Sequence, residues 1–151
     1  MANWTEVEQA APELAARVGA LLARGKHKTM ATLRRDGSPR LSGIETEFSD
    51  GELQLGMMPH SRKLADVRRD PRIALHSPSV DPPEGDPTQW PGEARVSGRV
   101  REVGYPGEGP DGTYFTVDVT ELVLTEIAPS ADKLVITSWR PGEHVRRVER
   151  T

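Results

Sequence analysis

The chain contains no cysteine. Disulfides, thiolate catalysis and cysteine-ligated zinc are therefore excluded. Aromatic residues are scarce, with three Trp, two Tyr and two Phe in 151 residues. A surface that reads nucleic-acid bases by stacking needs more than that. No apolar run approaches the roughly 20 residues needed to cross a bilayer as a helix. The start, Met1-Ala2-Asn3-Trp4-Thr5-Glu6, lacks the basic and apolar blocks of a signal peptide. Charge of one sign is also missing, since the net charge is -3. Nothing draws the whole molecule to nucleic acid or to an anionic membrane. These absences lead us to expect a cytoplasmic protein with no nucleic-acid or membrane partner.

A length of 151 residues suits a single domain that buries about two-thirds of its unfolded surface. Hydrophobic residues make up 35% of the chain, with mean hydropathy -0.57. The modest core suggests that a partner subunit covers one face. We read residues 1–26 as an N-terminal helical segment, 27–139 as a barrel and 140–151 as a basic tail. Leu14, Val18, Leu21 and Leu22 share one face of a helix over 12–24, with Pro12 at its start and Gly25 beyond its end. Strands follow at His27–Leu33, Arg40–Phe48 and Glu52–Met58, separated by the hairpin signals Asp36-Gly37 and Asp50-Gly51. A short helix runs from Ser61 to Asp70 and is stopped by Pro71. Further strands are expected at Arg72–His76, Glu93–Val103, Tyr114–Ile127 and Leu134–Trp139. In the long one, Phe115, Val117, Val119, Val123 and Ile127 are assigned to one face. The Pro-rich stretch 77–92 and the Gly/Pro stretch Tyr105–Gly112 read as loops, and Arg140–Thr151 as a last helix or arm. Six to seven mostly antiparallel strands with peripheral helices imply a mainly β fold, a small closed or half-open barrel.

The richest segment for chemistry runs from Gly56 to Leu75. Ser61 is a helix N-cap candidate, because its hydroxyl can accept a bond from an otherwise unpaired backbone N–H. Arg62 and Lys63 follow in the first turn, where the helix dipole prefers negative charge. A hydroxyl, backbone N–H groups and two cations together make a phosphate cradle. The alternative is a solvated helix start. Arg68, Arg69 and Arg72 read as a solvated face, paired with Asp66 and Asp70. Gly43 and Gly56, lacking side chains within strands, mark either a bulge or the close approach of a flat ligand. The four histidines show no metal-ligand spacing, and we expect no metal.

The order of an Asp-Gly hairpin, a third strand, a Ser61-Arg62-Lys63 helix with Arg69-Asp70-Pro71-Arg72, and an Ile73-Ala74-Leu75 strand resembles the pyridoxamine 5'-phosphate oxidase-like family. Trp139 followed by Gly142-Glu143-His144 adds to the likeness, which covers roughly residues 12–150. The resemblance implies a flavin-binding split β-barrel and a homodimer with the cofactor groove at its interface. The cofactor would be FMN or the deazaflavin coenzyme F-420. Its phosphate would lie on Ser61, Arg62 and Lys63, and its ring and ribityl chain along Arg40, Leu41, Ser42 and Gly43. Gly56 and Met57 would sit beside it, and Trp139 would reach it from near the C-terminus. The resemblance further implies an oxidoreductase acting on a small organic molecule. It leaves open a non-catalytic flavin- or haem-binding or regulatory module. Two departures bear on substrate. Glu45 stands where the oxidases place a Lys, and Val145-Arg146-Arg147-Val148-Glu149-Arg150 replaces the family's pyridoxal-phosphate-binding tail and its His. No residue is singled out as catalytic, because in such a protein the ring carries the hydride.

Overall fold

A computed structural model describes residues 1–104 and 113–151. The Tyr105–Gly112 loop expected above lies outside the described residues. Among the described residues there are three α-helices: α1 (Trp4–Ala10), α2 (Pro12–Leu22) and α3 (Arg62–Arg69). The strands are β1 (His27–Leu33), β2 (Pro39–Ser49), β3 (Glu52–Met57), β4 (Arg72–His76), β5 (Glu93–Val103), β6 (Thr113–Ile127), β7 (Leu134–Trp139) and β8 (Arg146–Arg150). Among the described residues no helix is long and apolar enough to cross a membrane.

The turns follow from local chemistry. Gly37 has φ 85°, and Asp50 and Gly51 have φ 53° and 73°. These are the left-handed conformations that tight hairpins need and that Gly and Asp tolerate best. Helix α1 lies within the segment read as helical, ahead of the one helix placed there over 12–24. A reciprocal pair of bonds starts it: Asn3 accepts from the Glu6 backbone N–H at 2.8 Å, and Glu6 accepts from the Asn3 backbone at 3.3 Å.

The sheet order is β3-β2-β1-β4-β5-β6-β7-β8, and a further β3–β6 pairing closes the first six strands into an antiparallel barrel. Strands β7 and β8 extend the sheet beyond the barrel. The tail is therefore a strand, not a helix or loose arm: Arg146–Arg150 pairs with Leu134–Ser138 of β7. Its five residues are all exposed, so no alternation of burial marks them as a strand.

The barrel core collects Met30, Leu53, Leu55, Leu75, Val96, Val117 and Leu122, and the apolar faces of α1 and α2 join it through Trp4, Val7, Val18 and Leu22. Trp4 also meets Phe48, with ring centroids 4.8 Å apart and planes tilted by 45°. Strand β6 corrects the expected facing. Glu121 pairs with Ser97, while the next pair in the ladder is Val119 with Gly98. Thr120 is thus an extra, unopposed residue, a β-bulge. One added residue shifts a period of two by one step. Phe115, Val117 and Val119 point into the core before the bulge, and Leu122 and Leu124 do so after it, while Val123 and Ile127 lie outside the core cluster.

Gly98 makes that bulge possible. A Cβ there would stand 2.4 Å from the Asp118 carbonyl oxygen and 3.0 Å from Val117 Cγ1. Gly98→Ala is expected to cost about 2–3 kcal/mol, the upper range for overpacking, because backbone must give way. Urea unfolding measures this. An unchanged midpoint would mean that the bulge relaxes freely.

Candidate functional site

The barrel opens where β2 and β3 part. Their ladder runs from Ser49–Glu52 to Thr46–Leu55 and ends there. Beyond it, β2 from Pro39 to Glu45 pairs with β1 alone, and Gly56 and Met57 pair with Tyr114 and Thr113 of β6. At the fork, the Lys28 ammonium donates to the carbonyls of Lys26 at 3.1 Å and Thr46 at 3.4 Å. Burial lowers the pKa of Lys28, and the charge of Glu45 partly opposes that. The split is a cleft lined by Glu45, Thr46, Glu47, Gln54–Pro59 and Tyr114.

Strand β3 leaves the barrel into a turn through Met58, Pro59 and His60, with His60 at φ 65°. Ser61 then caps α3, its Oγ accepting from the Leu64 N–H at 3.3 Å. Leu64 and Val67 bury one face of α3 and fix its seat. Arg62 and Lys63 consequently stand at the helix start, beside the unpaired edge of β2. Lys63 Nζ donates to the Gly43 carbonyl at 2.5 Å, which ties the start of α3 to that strand. Arg62 has no hydrogen-bond or ion-pair partner among the described residues.

The structure therefore brings Ser61, Arg62 and Lys63 together with Arg40, Leu41, Ser42 and Gly43. Leu41 is 72% exposed. A Cβ on Gly43 would meet nothing within 4 Å, so the strand is open there. The Ser42 hydroxyl is buried without a protein partner, a polar atom whose hydrogen bonding the chain leaves unmet. Gly56 and Met57 line the split, but the space at Gly56 is taken by the chain itself. A Cβ there would stand 2.9 Å from the Tyr114 ring, so the missing side chain admits that ring. Met57 is buried and its neighbour Met58 is exposed. Trp139 is not gathered to this place. It pairs with Leu122 on β7 and is 4% exposed in the core.

One central residue escaped the sequence reading. Asp66, on α3, is 2% exposed and is not part of a solvated face. Its Oδ2 accepts from Arg40 Nε and from Thr32 Oγ1, both at 2.7 Å, and its Oδ1 accepts from Arg69 at 3.2 Å. Burial pushes its carboxyl pKa up, yet the hydrogen bonds from Arg40, Thr32 and Arg69, with the Arg40 charge, outweigh that and leave it lowered. Arg69 also donates to the Leu33 carbonyl. Arg72 pairs with Asp70 at 2.7 Å as expected, whereas Arg68 pairs with Glu102 of β5 at 3.0 Å and not with an acid of α3. Arg72 holds the Asp70 carboxyl down to about 2.

No family model and no curated protein matches the chain. Solved structures do. A pyridoxamine 5'-phosphate oxidase-related, FMN-binding protein from Nostoc punctiforme is 11% identical, with TM-score 0.63 over 100% of this chain and 98% of that one. PhzG from Burkholderia lata, in complex with tetrahydrophenazine-1-carboxylic acid, is 10% identical, with TM-score 0.63 over 97% and 92%. An F420 reductase is 22% identical, with TM-score 0.52 over 68% and 93%. At these identities the likeness shows the fold alone, a split β-barrel.

Proposed function

We propose that this chain, a split β-barrel like that of pyridoxamine 5'-phosphate oxidase-related FMN-binding proteins and an F420 reductase, is a flavin- or deazaflavin-dependent oxidoreductase. The observation that carries the reading is the cradle itself. An unpaired Arg62, Lys63 and the capped start of α3 stand against the one stretch of β2 that has a free edge. The residues fit such a group. Arg62 and Lys63 supply charge-assisted donors for a phosphate, and Arg40 keeps four N–H groups beyond the one it gives Asp66. The open strand at Gly43 suits the edge of a flat ring. The bound ring would supply hydride transfer, while the protein fixes its position and excludes water. Exposed Leu41 and Met58 flank this region, and a second copy of the chain covering them would place the groove between subunits.

Binding of FMN and of oxidised F-420 to ligand-free protein, followed by fluorescence, tests the reading. The double variant Arg62→Ala, Lys63→Ala should bind the preferred cofactor about 100-fold more weakly, at roughly 1.5 kcal/mol for each charge-assisted hydrogen bond removed. Arg62 is exposed and Lys63 half-buried with one bond to a backbone carbonyl, so the unfolding midpoint should move by little more than that bond is worth. Unaltered affinity would remove the cradle. Binding of neither cofactor would remove the oxidoreductase.

A second reading, a non-catalytic flavin- or haem-binding module, is favoured by the carboxylates of Glu45 and Glu47 at the split. A negative charge beside a flavin disfavours the anionic reduced ring. Stoichiometric cofactor without turnover of NAD(P)H or reduced deazaflavin would select it.

A further inference from the structure

The arginines around α3 form a cleft that the cradle does not explain. Five of them, Arg34, Arg35, Arg40, Arg62 and Arg69, line it with Asp36 and Asp66. This concentration of positive charge occurs in a chain whose net charge is -3. Like charges gathered in one concavity repel, and a bound anion relieves that repulsion.

Three of the five are held in place. Arg40 and Arg69 are clamped by the buried Asp66, and Arg34 donates to the Pro39 carbonyl at 2.6 Å inside its own turn. A guanidinium carries five N–H donors, so each keeps most of them after these bonds. Pinned donors cost less ordering entropy on binding than the swinging arginines of an ordinary surface. Arg35 and Arg62 have no partner among the described residues. Asp36 is already engaged by the Ser38 N–H at 2.9 Å and the Ser38 hydroxyl at 2.5 Å, and Asp66 is below the surface. Neither carboxylate is left free to neutralise the two open arginines.

The cleft has length as well as charge. Arg62 and Arg69 stand at opposite ends of α3, about 10 Å apart along a helix rising 1.5 Å per residue. Side chains rooted that far apart leave room for two phosphate-type groups. We propose that this cleft is an anion site for a ligand carrying at least two phosphate-type groups, one between Arg40 and Arg62 and another among Arg34, Arg35 and Arg69. It shares Arg40 and Arg62 with the cradle but does not depend on the cofactor named there.

Calorimetric titration of the full-length protein with inorganic tripolyphosphate and with orthophosphate tests this. Tripolyphosphate is expected to bind at least about 100-fold more tightly, as two further charge-assisted hydrogen bonds imply. Its affinity should fall steeply with added salt. Arg35→Gln removes a side chain that the fold does not use. It should weaken tripolyphosphate about tenfold and leave both orthophosphate and FMN binding unchanged. Equal affinity for the two anions, or an Arg35→Gln protein that binds tripolyphosphate as the parent does, would overturn the site. Tripolyphosphate binding to a protein that takes neither FMN nor F-420 would uphold this site while the cradle reading fails.

Discussion

Replacing Asp66 by alanine is expected to cost about 4 kcal/mol of folding stability, within the range for breaking a buried charge pair. The carboxylate is the shared acceptor for a hydroxyl on β1, a guanidinium on β2 and a guanidinium on α3. Removing it leaves the Thr32 hydroxyl, 1% exposed, without an acceptor and the largely buried Arg40 side chain without a counter-charge. Unmet groups of this kind carry their full desolvation cost. Asp66→Asn keeps an acceptor for Thr32 and loses only the charge, so its loss should be about half as large. Urea unfolding distinguishes these results from the change of under 1 kcal/mol that an ordinary surface pair would give. The pH dependence has a definite sign. The folded pKa of Asp66 lies below its unfolded value of about 3.9. The carboxylate's contribution is therefore complete above about pH 4 and is lost as pH falls through the folded value. In Asp66→Asn that part of the acid loss should be absent.

Trp139→Ala is expected to cost a similar amount, about 3–5 kcal/mol, the usual range for deleting a buried indole. The family resemblance places Trp139 on the cofactor. The structure puts it in the core cluster, on β7 beside Leu122 of β6. The variant should thus unfold at markedly lower denaturant while its folded fraction binds FMN or F-420 as the parent does. The reverse pattern, intact stability with weakened binding, would return the ring to the groove.

These two residues show what the sequence made legible. Strand and hairpin positions followed from period-two alternation and from Asp-Gly pairs, because those signals are local. The first half of β6 read correctly for the same reason. Its second half did not, because a bulge at Thr120 leaves alternation on both sides and changes only the phase. Helix α1 was not placed by itself, because it is a helix of 7 residues with little amphipathic pattern beyond its capping pair. Strand β8 carries no buried face to alternate. The grouping of Ser61, Arg62 and Lys63 at a capped helix start was legible, since they are consecutive. Asp66 was not. Its partners lie 34 residues upstream on β1 and 26 upstream on β2, and an Asp among arginines on a short helix looks like a solvated pair.

The β7–β8 extension also governs how the molecule behaves in a crowded solution. Six strands close on themselves except where β2 parts from β3, and β8, which ends the sheet order, presents a further rim of amides. Bare rims of that kind recruit neighbouring chains into growing aggregates. Here the rim is only 5 residues long, and three of those are Arg146, Arg147 and Arg150. Another molecule adding edge to edge would bring a second arginine-rich strand against the first. At this end of the sheet, sequence and topology together limit the adhesive backbone to a short segment that repels its own kind.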